Sequence, residues 1–546
     1  MKKLSKLVLP IIGYRNAISY IFLGILTGVC SFSFINLITK VVGFIIDGKL
    51  NSVSKDYILL FALVILVYVW GRRQLALTSM DISLQISWTL RKKILRLLID
   101  SNYYKIYGSL TKIQTSILSD INVLTNASLS IIDFTISLFV ALSVLIYLSM
   151  ISVKLFLITL IVTAVGVFIY YFTSKNNVHN LNKNRLIEDE FQRNLNTAIF
   201  GLKEIYIDQR KGNYLYNESI LKNARESLSF GLKAGTAFIN SQMTGQVLFY
   251  VLIAMILLVF SFLLSLKASD VVTYVFSLIY LLGSVESLMT NLPGLLKARV
   301  AANKIEELTF SMEELLLSQE NASSSFPITG SFTTLEVIDL TFNYGNDKKF
   351  QIGPIRFSLT RGEIVFIYGG NGSGKTSLIN AILGLFPFTN GCIKMNGNIV
   401  YPNMDEYYRS NFSVVLNDFF LFDEVLSYET VDTVLWEYYL KLFEIAHKVQ
   451  MIGNRFSTLQ LSTGQRKRLA LVIALIEKKP VIVLDEWAAD QDPYFREKFY
   501  CQILPELSSN GYTIIAITHD EKYYHYCNQL FRMEEGLLYK EKINFI

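Results

Sequence analysis

The chain has 546 residues, 52% of them hydrophobic, and a mean hydropathy of +0.38. Soluble globular domains are rarely this apolar, so the composition argues against an entirely soluble protein and predicts membrane-spanning segments. The net charge of +6 is not gathered into a basic face, so it indicates Lys and Arg on cytoplasmic loops and no nucleic-acid partner. No CxxC pair or metal-ligand spacing is present, so we expect free thiols at Cys30, Cys392, Cys501 and Cys527.

Six apolar stretches in the first half of the chain approach the length of a membrane-spanning helix, about 20 residues. They cover approximately residues 17–38, 57–70, 130–150, 155–172, 246–266 and 271–288. The second stretch is short because Gly71 follows it. The first stretch is too long for a signal-peptide core and lacks a small-residue cleavage site, so we interpret it as a retained span.

Basic residues predict the orientation of these spans. Lys and Arg cluster before span one and after spans two, four and six, whereas the two tight links carry only Lys154 and Lys267. By the positive-inside rule, both termini are expected in the cytoplasm, as in a multi-pass protein of the cytoplasmic (inner) membrane. The long segments after spans two and four keep apolar residues at helical spacing, such as Ile94, Leu97 and Leu98, and predict helical extensions into the cytoplasm.

Two acidic residues lie inside predicted spans, Asp133 in span three and Glu286 in span six. An ionisable group in hydrocarbon is costly, so each is expected to face the bundle interior or a wet cavity. For Glu286 two interpretations stay open. It could meet a cationic or hydrogen-bonding part of a substrate, or it could pair with a neighbouring helix.

A change of pattern separates the two halves of the chain. Small polar residues over 318–325 predict a flexible connector, which we place at residues 311–331. It divides a membrane domain at 1–310 from a second domain at 332–546. In this second domain strands alternate with helices, which predicts a parallel or mixed α/β sheet.

A phosphate-binding loop lies near the start of the second domain. The loop and the first residue after it are Gly369, Gly370, Asn371, Gly372, Ser373, Gly374, Lys375, Thr376 and Ser377. It satisfies G-x-x-x-x-G-K-[ST] between a strand-like and a helix-like run, the context that this motif requires. Backbone N–H groups and the helix N-terminus favour phosphate. Lys375 adds a charge for the outer phosphates, and Thr376 adds a hydroxyl for Mg²⁺.

A second apolar strand, residues 481–484, ends in Asp485 and Glu486. A carboxylate at the end of a buried strand beside a phosphate loop can hold Mg²⁺, directly or through water. The next carboxylate is placed to polarise the attacking water, so Glu486 is the candidate general base.

Further motifs complete a known pattern. One run resembles the LSGGQ signature of ABC ATPases and comprises Leu461, Ser462, Thr463, Gly464 and Gln465. His519 resembles the switch histidine of that family, Asp492 its D-loop aspartate, and Tyr344 the aromatic residue that stacks on adenine. With six spans ahead of them, these motifs resemble an exporter half-transporter of the ABC family. The resemblance implies an all-α six-helix transmembrane domain of the ABC exporter type fused to an α/β P-loop nucleotide-binding domain, with ATP and Mg²⁺ as cofactors.

Two positions depart from the family pattern, and we expect both to tune turnover without abolishing it. Asn417 stands where the family has a glutamine that contacts Mg²⁺ and water, and its shorter amide could act through a bridging water. Thr463 replaces a glycine, but at a helix start its backbone N–H remains a donor.

A narrower resemblance concerns the residues after the candidate base. Trp487 follows Glu486, where most ABC ATPases have a small residue or proline. This run, the phosphate loop and residues 292–296 are similar to bacterial exporters of cyclic peptides and siderophore precursors. The similarity implies a peptide-type substrate, such as a cyclic peptide, a lipopeptide or a siderophore precursor. A lipid flippase of the same architecture and an ATP-switched membrane regulator are the alternatives, although the retained hydrolytic residues argue against the regulator.

The resemblance also implies a partner. In the family, the signature motif of one subunit completes the ATP site of the other, so Ser462 and Gly464 of a second copy would face the phosphate held by Lys375. A homodimer or a close heterodimer is therefore expected, with alternating access in the bilayer. The segments at 120–126 and 196–204 are the candidates for contact with the nucleotide-binding domain.

Overall fold

The computed structural model describes residues 13–46, 55–174, 177–264, 266–320, 331–343, 351–401, 406–426 and 431–543. The chain divides into two compact units. The first extends to Asp100 and resumes over Gly108–Glu313, and the second combines Ser101–Tyr107 with the chain from Glu314 onward.

Long helices build the first unit, and six of the described helices are long and apolar enough to cross a membrane. This confirms the six predicted spans. The helices up to residue 320 are α1 (Tyr14–Ile46), α2 (Lys55–Asp100), α3 (Tyr103–Tyr107), α4 (Leu110–Thr115), α5 (Ile121–Ile151), α6 (Val153–Ser174), α7 (Asn177–Phe200), α8 (Leu202–Ile207), α9 (Gln209–Tyr214), α10 (Leu221–Met255), α11 (Ser261–Leu263) and α12 (Ala268–Glu320). Segments with π-helical hydrogen bonding at Ser116–Asp120, Leu215–Ile220 and Ile256–Phe260 lead into α5, α10 and α11.

Gly71 does not shorten the second span. Helix α2 continues through it for 46 residues, from Lys55 to Asp100. A Cβ on Gly71 would lie 3.0 Å from the Thr27 Cγ2 atom of α1. The glycine therefore serves close packing between two helices, which the sequence did not distinguish from a helix end.

Helix α12 is the longest element, with 53 residues and a length of about 80 Å. It reaches Glu320, so residues 311–320 are helical, whereas the sequence suggested a flexible connector from residue 311. Glu, Leu and Met dominate this stretch and favour helix strongly. Residues 321–330 of the predicted connector lie outside the described residues. Pro293 lies within α12, and it has no backbone N–H to donate to the carbonyl of Met289.

Part of the segment at 120–126 packs inside the first unit, and its expected contact with the nucleotide-binding domain stays a prediction. Ile121 and Leu124 are buried, and the buried Asp120 carboxylate is paired with Arg185 of α7. Phe200, in the other expected segment, is 86% exposed, and its contact stays a prediction. The segment grouped with the nucleotide-binding unit is α3 and its flanks, Ser101–Tyr107.

Two sheets form most of the second unit. The strands are β1 (Thr334–Asn343), β2 (Gln351–Thr360), β3 (Ile364–Tyr368), β4 (Asn390–Met395), β5 (Asn398–Val400), β6 (Phe412–Val415), β7 (Met451–Ile452), β8 (Arg455–Phe456), β9 (Val481–Asp485), β10 (Thr513–Ile517), β11 (Gln529–Glu534) and β12 (Leu537–Glu541). The helices are α13 (Lys375–Ile382), α14 (Glu406–Ser410), α15 (Thr433–Leu442), α16 (Thr463–Ile476), α17 (Pro493–Lys498) and α18 (Leu504–Ser509).

The larger sheet positions the site. Its order is β12-β11-β3-β10-β9-β6, and β11, β3, β10, β9 and β6 run parallel. The carboxyl ends of parallel strands meet at one edge, where open α/β sheets bind ligands. At this edge Ile517 of β10 lies between Ile367 of β3 and Asp485 of β9 in register. The fold class predicted from the sequence is thereby confirmed.

Candidate nucleotide-binding site

The phosphate-binding loop joins β3 to α13, and its glycines are required by the backbone. Gly369, Gly372 and Gly374 have φ values of 154°, 79° and 105°. A Cβ on Gly369 would lie 2.1 Å from the Met533 carbonyl oxygen. Side chains at these positions would strain or displace the loop, which explains the glycine spacing of the motif.

The loop contains groups suited to an anion. The buried hydroxyl oxygen of Ser373 has no hydrogen-bond partner among the described residues. Lys375 Nζ lies against the same loop and donates to the carbonyl oxygens of Gly369 and Gly370 at 2.8 and 3.0 Å. Burial lowers the pKa of Lys375, and the carboxylates of Glu486 and Asp485 oppose that shift. A free hydroxyl donor beside an ammonium group fits the oxygens of a phosphate.

Oxygen ligands collect next to the loop. The Thr376 hydroxyl donates to the Asp485 carboxylate at 3.1 Å, and both residues line a groove of about 710 Å³ together with Asn417. Burial raises the pKa of Asp485, and the Thr376 hydrogen bond partly offsets this. Hydroxyl, carboxylate and amide oxygens suit Mg²⁺, and these three residues could hold it beside phosphate oxygens. Across the described residues, no group of three or more His, Cys, Asp or Glu side chains could hold a metal by itself.

The candidate base and the switch histidine are neighbours. His519 Nε2 lies 3.3 Å from Glu486 Oε1. The Glu486 backbone adopts a left-handed conformation with φ of 49°, and its N–H donates to the Ile517 carbonyl at 3.1 Å. Strained backbone of this kind persists only where the surroundings enforce it. The carboxylate is 32% exposed, so water can reach it.

The signature motif forms the start of α16. Ser462 caps this helix in a capping box with Gln465, and Thr463 is its first residue. The Thr463 side chain is exposed, whereas a Cβ on Gly464 would lie 2.7 Å from the Asp490 carbonyl oxygen. The structure therefore explains why the first glycine of the motif can be replaced and the second cannot.

Asp492 caps a helix beside the signature motif. It accepts from the Phe495 N–H of α17 at 2.9 Å and pairs with Arg468 at 2.7 Å, and these contacts lower its pKa. Asp492 and four of the five signature residues, Ser462, Thr463, Gly464 and Gln465, line a second groove. None of the described residues lines both this groove and the one at Thr376 and Asn417.

Three tyrosines of α3 belong to the site and were missed by sequence reasoning. Tyr103 and Tyr107 line the groove that holds Asn417 and Asp485. Tyr104 packs edge-on against Phe386, with ring centroids 5.3 Å apart. The signal was a dense aromatic run directly after a helix of 46 residues.

Sequence reasoning also missed a buried lysine. Lys467 has a side chain only 2% exposed, and it pairs with the Asp490 carboxylate at 2.6 Å. Its Nζ donates to the Glu486 carbonyl at 2.9 Å, and its own carbonyl accepts from Trp487 Nε1 at 2.8 Å. Helix α16 thus holds the segment that carries the candidate base through two hydrogen bonds of Lys467. Lysine is rarely buried unless it is paired. We therefore interpret Lys467 as a residue that positions the backbone at Glu486.

Replacing Lys467 with Met should lower kcat for ATP hydrolysis roughly tenfold, because the backbone at Glu486 loses its anchor while the side chain volume is kept. The KM for ATP should change less than about twofold, since Lys467 is not part of the phosphate loop. Steady-state ATPase kinetics measure both constants. The matched control is Arg466→Met at the exposed neighbouring position. Equal kcat in the two variants would contradict this role.

The structure places Lys375, Thr376, Asp485, Glu486 and His519 at one edge of the six-stranded sheet. Asn417 follows β6 at the same edge. Tyr344 lies outside the described residues.

Known proteins with a similar sequence agree with this architecture. Residues 352–489 match the family model described as ABC transporter. The chain is 28% identical to the ATP-binding protein SyrD of Pseudomonas syringae pv. syringae over 403 residues, 72% of this chain and 71% of that protein. It is 25% identical to the ATP-dependent lipid A-core flippase of Vibrio vulnificus (strain CMCP6) over 277 residues, 48% of this chain and 46% of that protein. It is 29% identical to the nisin transport ATP-binding protein NisT of Lactococcus lactis subsp. lactis over 223 residues, 37% of this chain and 36% of that protein.

These matches agree with the fold. Six helices able to span a membrane precede a domain whose phosphate loop, carboxylates and signature helix have the arrangement described above. The chain is therefore a multi-pass membrane protein whose second half carries an ABC transporter domain, an ATPase that is similar to exporter-type half-transporters.

Proposed function

We propose that two copies of this chain export a peptide-type substrate across the cytoplasmic membrane and use ATP hydrolysis to do so. The proposal rests on one observation: the same polypeptide contains six apolar helices and a site suited to ATP hydrolysis. Six apolar helices accompany a site in which Glu486 and His519 lie 3.3 Å apart at the sheet edge that bears Lys375 and Asp485. A membrane protein with a hydrolytic base and a phosphate loop fits active transport.

Each residue of the site has a distinct part in this proposal. Lys375 and the loop N–H groups bind the outer phosphates of ATP. Thr376, Asp485 and Asn417 would hold Mg²⁺, which would neutralise phosphate charge when bound. Glu486 accepts a proton from the attacking water, and His519 orients that carboxylate. Tyr344 is proposed to stack on adenine.

A second copy is part of the proposal because the two halves of the expected ATP site are separate in one chain. The signature residues Ser462 and Gly464 line one groove with Asp492, and the groove at Thr376 shares none of its residues. In a dimer, the signature groove of one copy would close over the nucleotide of the other. Light scattering of purified Glu486→Gln should give a monomer-to-dimer shift, or a compaction of a dimer, that requires ATP.

The substrate class rests on resemblance and on one relative, which is named for nisin transport. The relative named as a lipid A-core flippase favours a second candidate, movement of lipid between leaflets. Both functions need the same ATP chemistry. We place the termini and the nucleotide-binding domain in the cytoplasm, since Lys and Arg cluster on that side of the spans.

Inverted proteoliposomes test the proposal. Protein with its nucleotide-binding domain outward should accumulate a labelled cyclic peptide when ATP is added, and Glu486→Gln should abolish the uptake. A lipid-analogue assay on the same vesicles tests the flippase. ATP-dependent lipid movement without peptide uptake would replace the export proposal, and hydrolysis with neither activity would support the regulator.

A further inference from the structure

Two acidic side chains lie at the same depth of the membrane unit, and among the described residues only Asp133 has a cationic partner. Asp133 of α5 pairs with Arg72 of α2 at 3.2 Å. Glu286 of α12 lies within ion-pair distance of no Lys, Arg or His in the part of the chain that the structure describes. Charged groups inside membrane helices are costly and are normally paired. Glu286 therefore needs a cationic partner from outside the described residues.

The Glu286 carboxylate is held in place from a neighbouring helix. Its Oε1 atom accepts hydrogen bonds from Gln242 Nε2 at 3.0 Å and from Gln246 Nε2 at 2.8 Å. These glutamines are four residues apart on α10 and so share a helix face. Two donors on one oxygen orient the carboxylate without neutralising its charge, and Oε2, which has no donor among the described residues, remains as the acceptor for a further group.

The position of Glu286 suits a cation that arrives from the cytoplasm. It lies 18 residues after Ala268, where α12 begins, which places it about 27 Å from that end. The hydrocarbon core is about 30 Å thick, so Glu286 lies near its cytoplasmic border. Asp133 lies 18 residues before Ile151, the end of α5, and is at the same depth. A cation bound here would lose only part of its hydration.

A cavity of about 400 Å³ lies outward of this carboxylate, between α1, α2, α5 and α12. Ile279 lines it, and Glu286 follows Ile279 by two turns on the same side of α12. The lining has no charged side chain, and it combines aliphatic residues with six hydroxyl groups, those of Ser31, Thr39, Tyr68, Ser137, Tyr280 and Ser284. Such a lining suits a neutral, amphipathic group with its own hydrogen-bonding atoms.

We infer that Glu286 binds a cationic group of the transported substrate, an ammonium or a guanidinium, while the hydroxyl-lined cavity receives the uncharged part of the same molecule. This rests on the proposed function and narrows its substrate class to cationic amphipathic peptides. Gln242 and Gln246 are the positioning residues. Asp133 has no part in this site because Arg72 already neutralises it.

The test compares two synthetic cyclic hexapeptides on the full-length protein in lipid nanodiscs. One carries a single lysine among five apolar or hydroxyl residues, and the other is identical except that the lysine is acetylated and uncharged. The wild-type protein should bind the lysine peptide about 10- to 100-fold more tightly, the range for a hydrogen bond to a charged group. Glu286→Gln should bind both peptides equally, and Glu286→Asp should keep part of the preference.

Asp133→Asn is the matched control, because it removes an acid at the same depth and should keep the full preference. No preference in the wild-type protein, a preference that survives in Glu286→Gln, or its loss in Asp133→Asn would each overturn the inference. The comparison of the two peptides on the wild-type protein tests the contact without any substitution. The test therefore remains valid even if a variant fails to fold. Binding is measured without ATP. Uptake of both peptides at equal rates would overturn this inference alone, whereas absence of any ATP-dependent uptake would overturn the proposed function.

Discussion

Glu486→Gln should reduce kcat for ATP hydrolysis by about 100- to 10,000-fold, the range attributed to a positioned general base. The amide has nearly the size of the carboxylate and keeps an acceptor toward His519, so the local structure should be maintained. ATP affinity should change less than about threefold, because the side chain acts on the attacking water and not on bound phosphate. Single-turnover hydrolysis and equilibrium nucleotide binding measure the two effects separately.

The control for this variant is Glu437→Gln, which neutralises an exposed glutamate of α15. It should hydrolyse ATP at the normal rate. Full activity of Glu486→Gln would exclude Glu486 as the base. In that case a neighbouring carboxylate such as Asp485 would have to serve, although its contact with Thr376 suits a metal ligand better.

Lys375→Ala should weaken ATP binding by about 10- to 100-fold, the effect of removing a hydrogen bond to a charged group. Hydrolysis at saturating ATP should also fall, because charge that develops on the phosphates loses its counterion. The two effects together distinguish this variant from Glu486→Gln. Equilibrium binding of a fluorescent ATP analogue, with steady-state kinetics, measures both.

Lys448→Ala, an exposed lysine in the same unit, provides the matched control and should bind ATP normally. Unchanged affinity in Lys375→Ala would place the outer phosphates elsewhere. Thermal unfolding of each variant should be compared, because Lys375 also donates to two carbonyls of the loop. Removal of these bonds is expected to loosen the loop without unfolding the sheet.

The sequence predicted local features well because their causes are local. The strand–loop–helix around Lys375 follows from an apolar run, glycines with positive φ and a helix start within a few residues. The six spans follow from the length and apolarity of single helices. The capping box of Ser462 and Gln465 likewise needs only its own three-residue spacing.

Features that depend on the order of strands could not be predicted in the same way. His519 meets Glu486 because β10 inserts between β3 and β9, and nothing in either segment specifies that order. Lys467 looked like an ordinary charged residue of a helix, and only its burial against Asp490 reveals its contact. Residues 311–320 are helical where the sequence suggested a connector, because a polar helix and a polar connector have similar composition.

Pro293 gives α12, the longest described helix, a position where it can bend. About 25 residues of α12, roughly 38 Å, lie between this proline and the start of the helix. Since the Met289 carbonyl already lacks its usual donor, bending there breaks no further backbone hydrogen bond. A tilt of about 10° at this point would sweep the outer tip sideways by roughly 7 Å. The part of α12 before Pro293, Glu286 included, can therefore change its tilt at the proline at a lower cost in backbone hydrogen bonds than elsewhere along the helix.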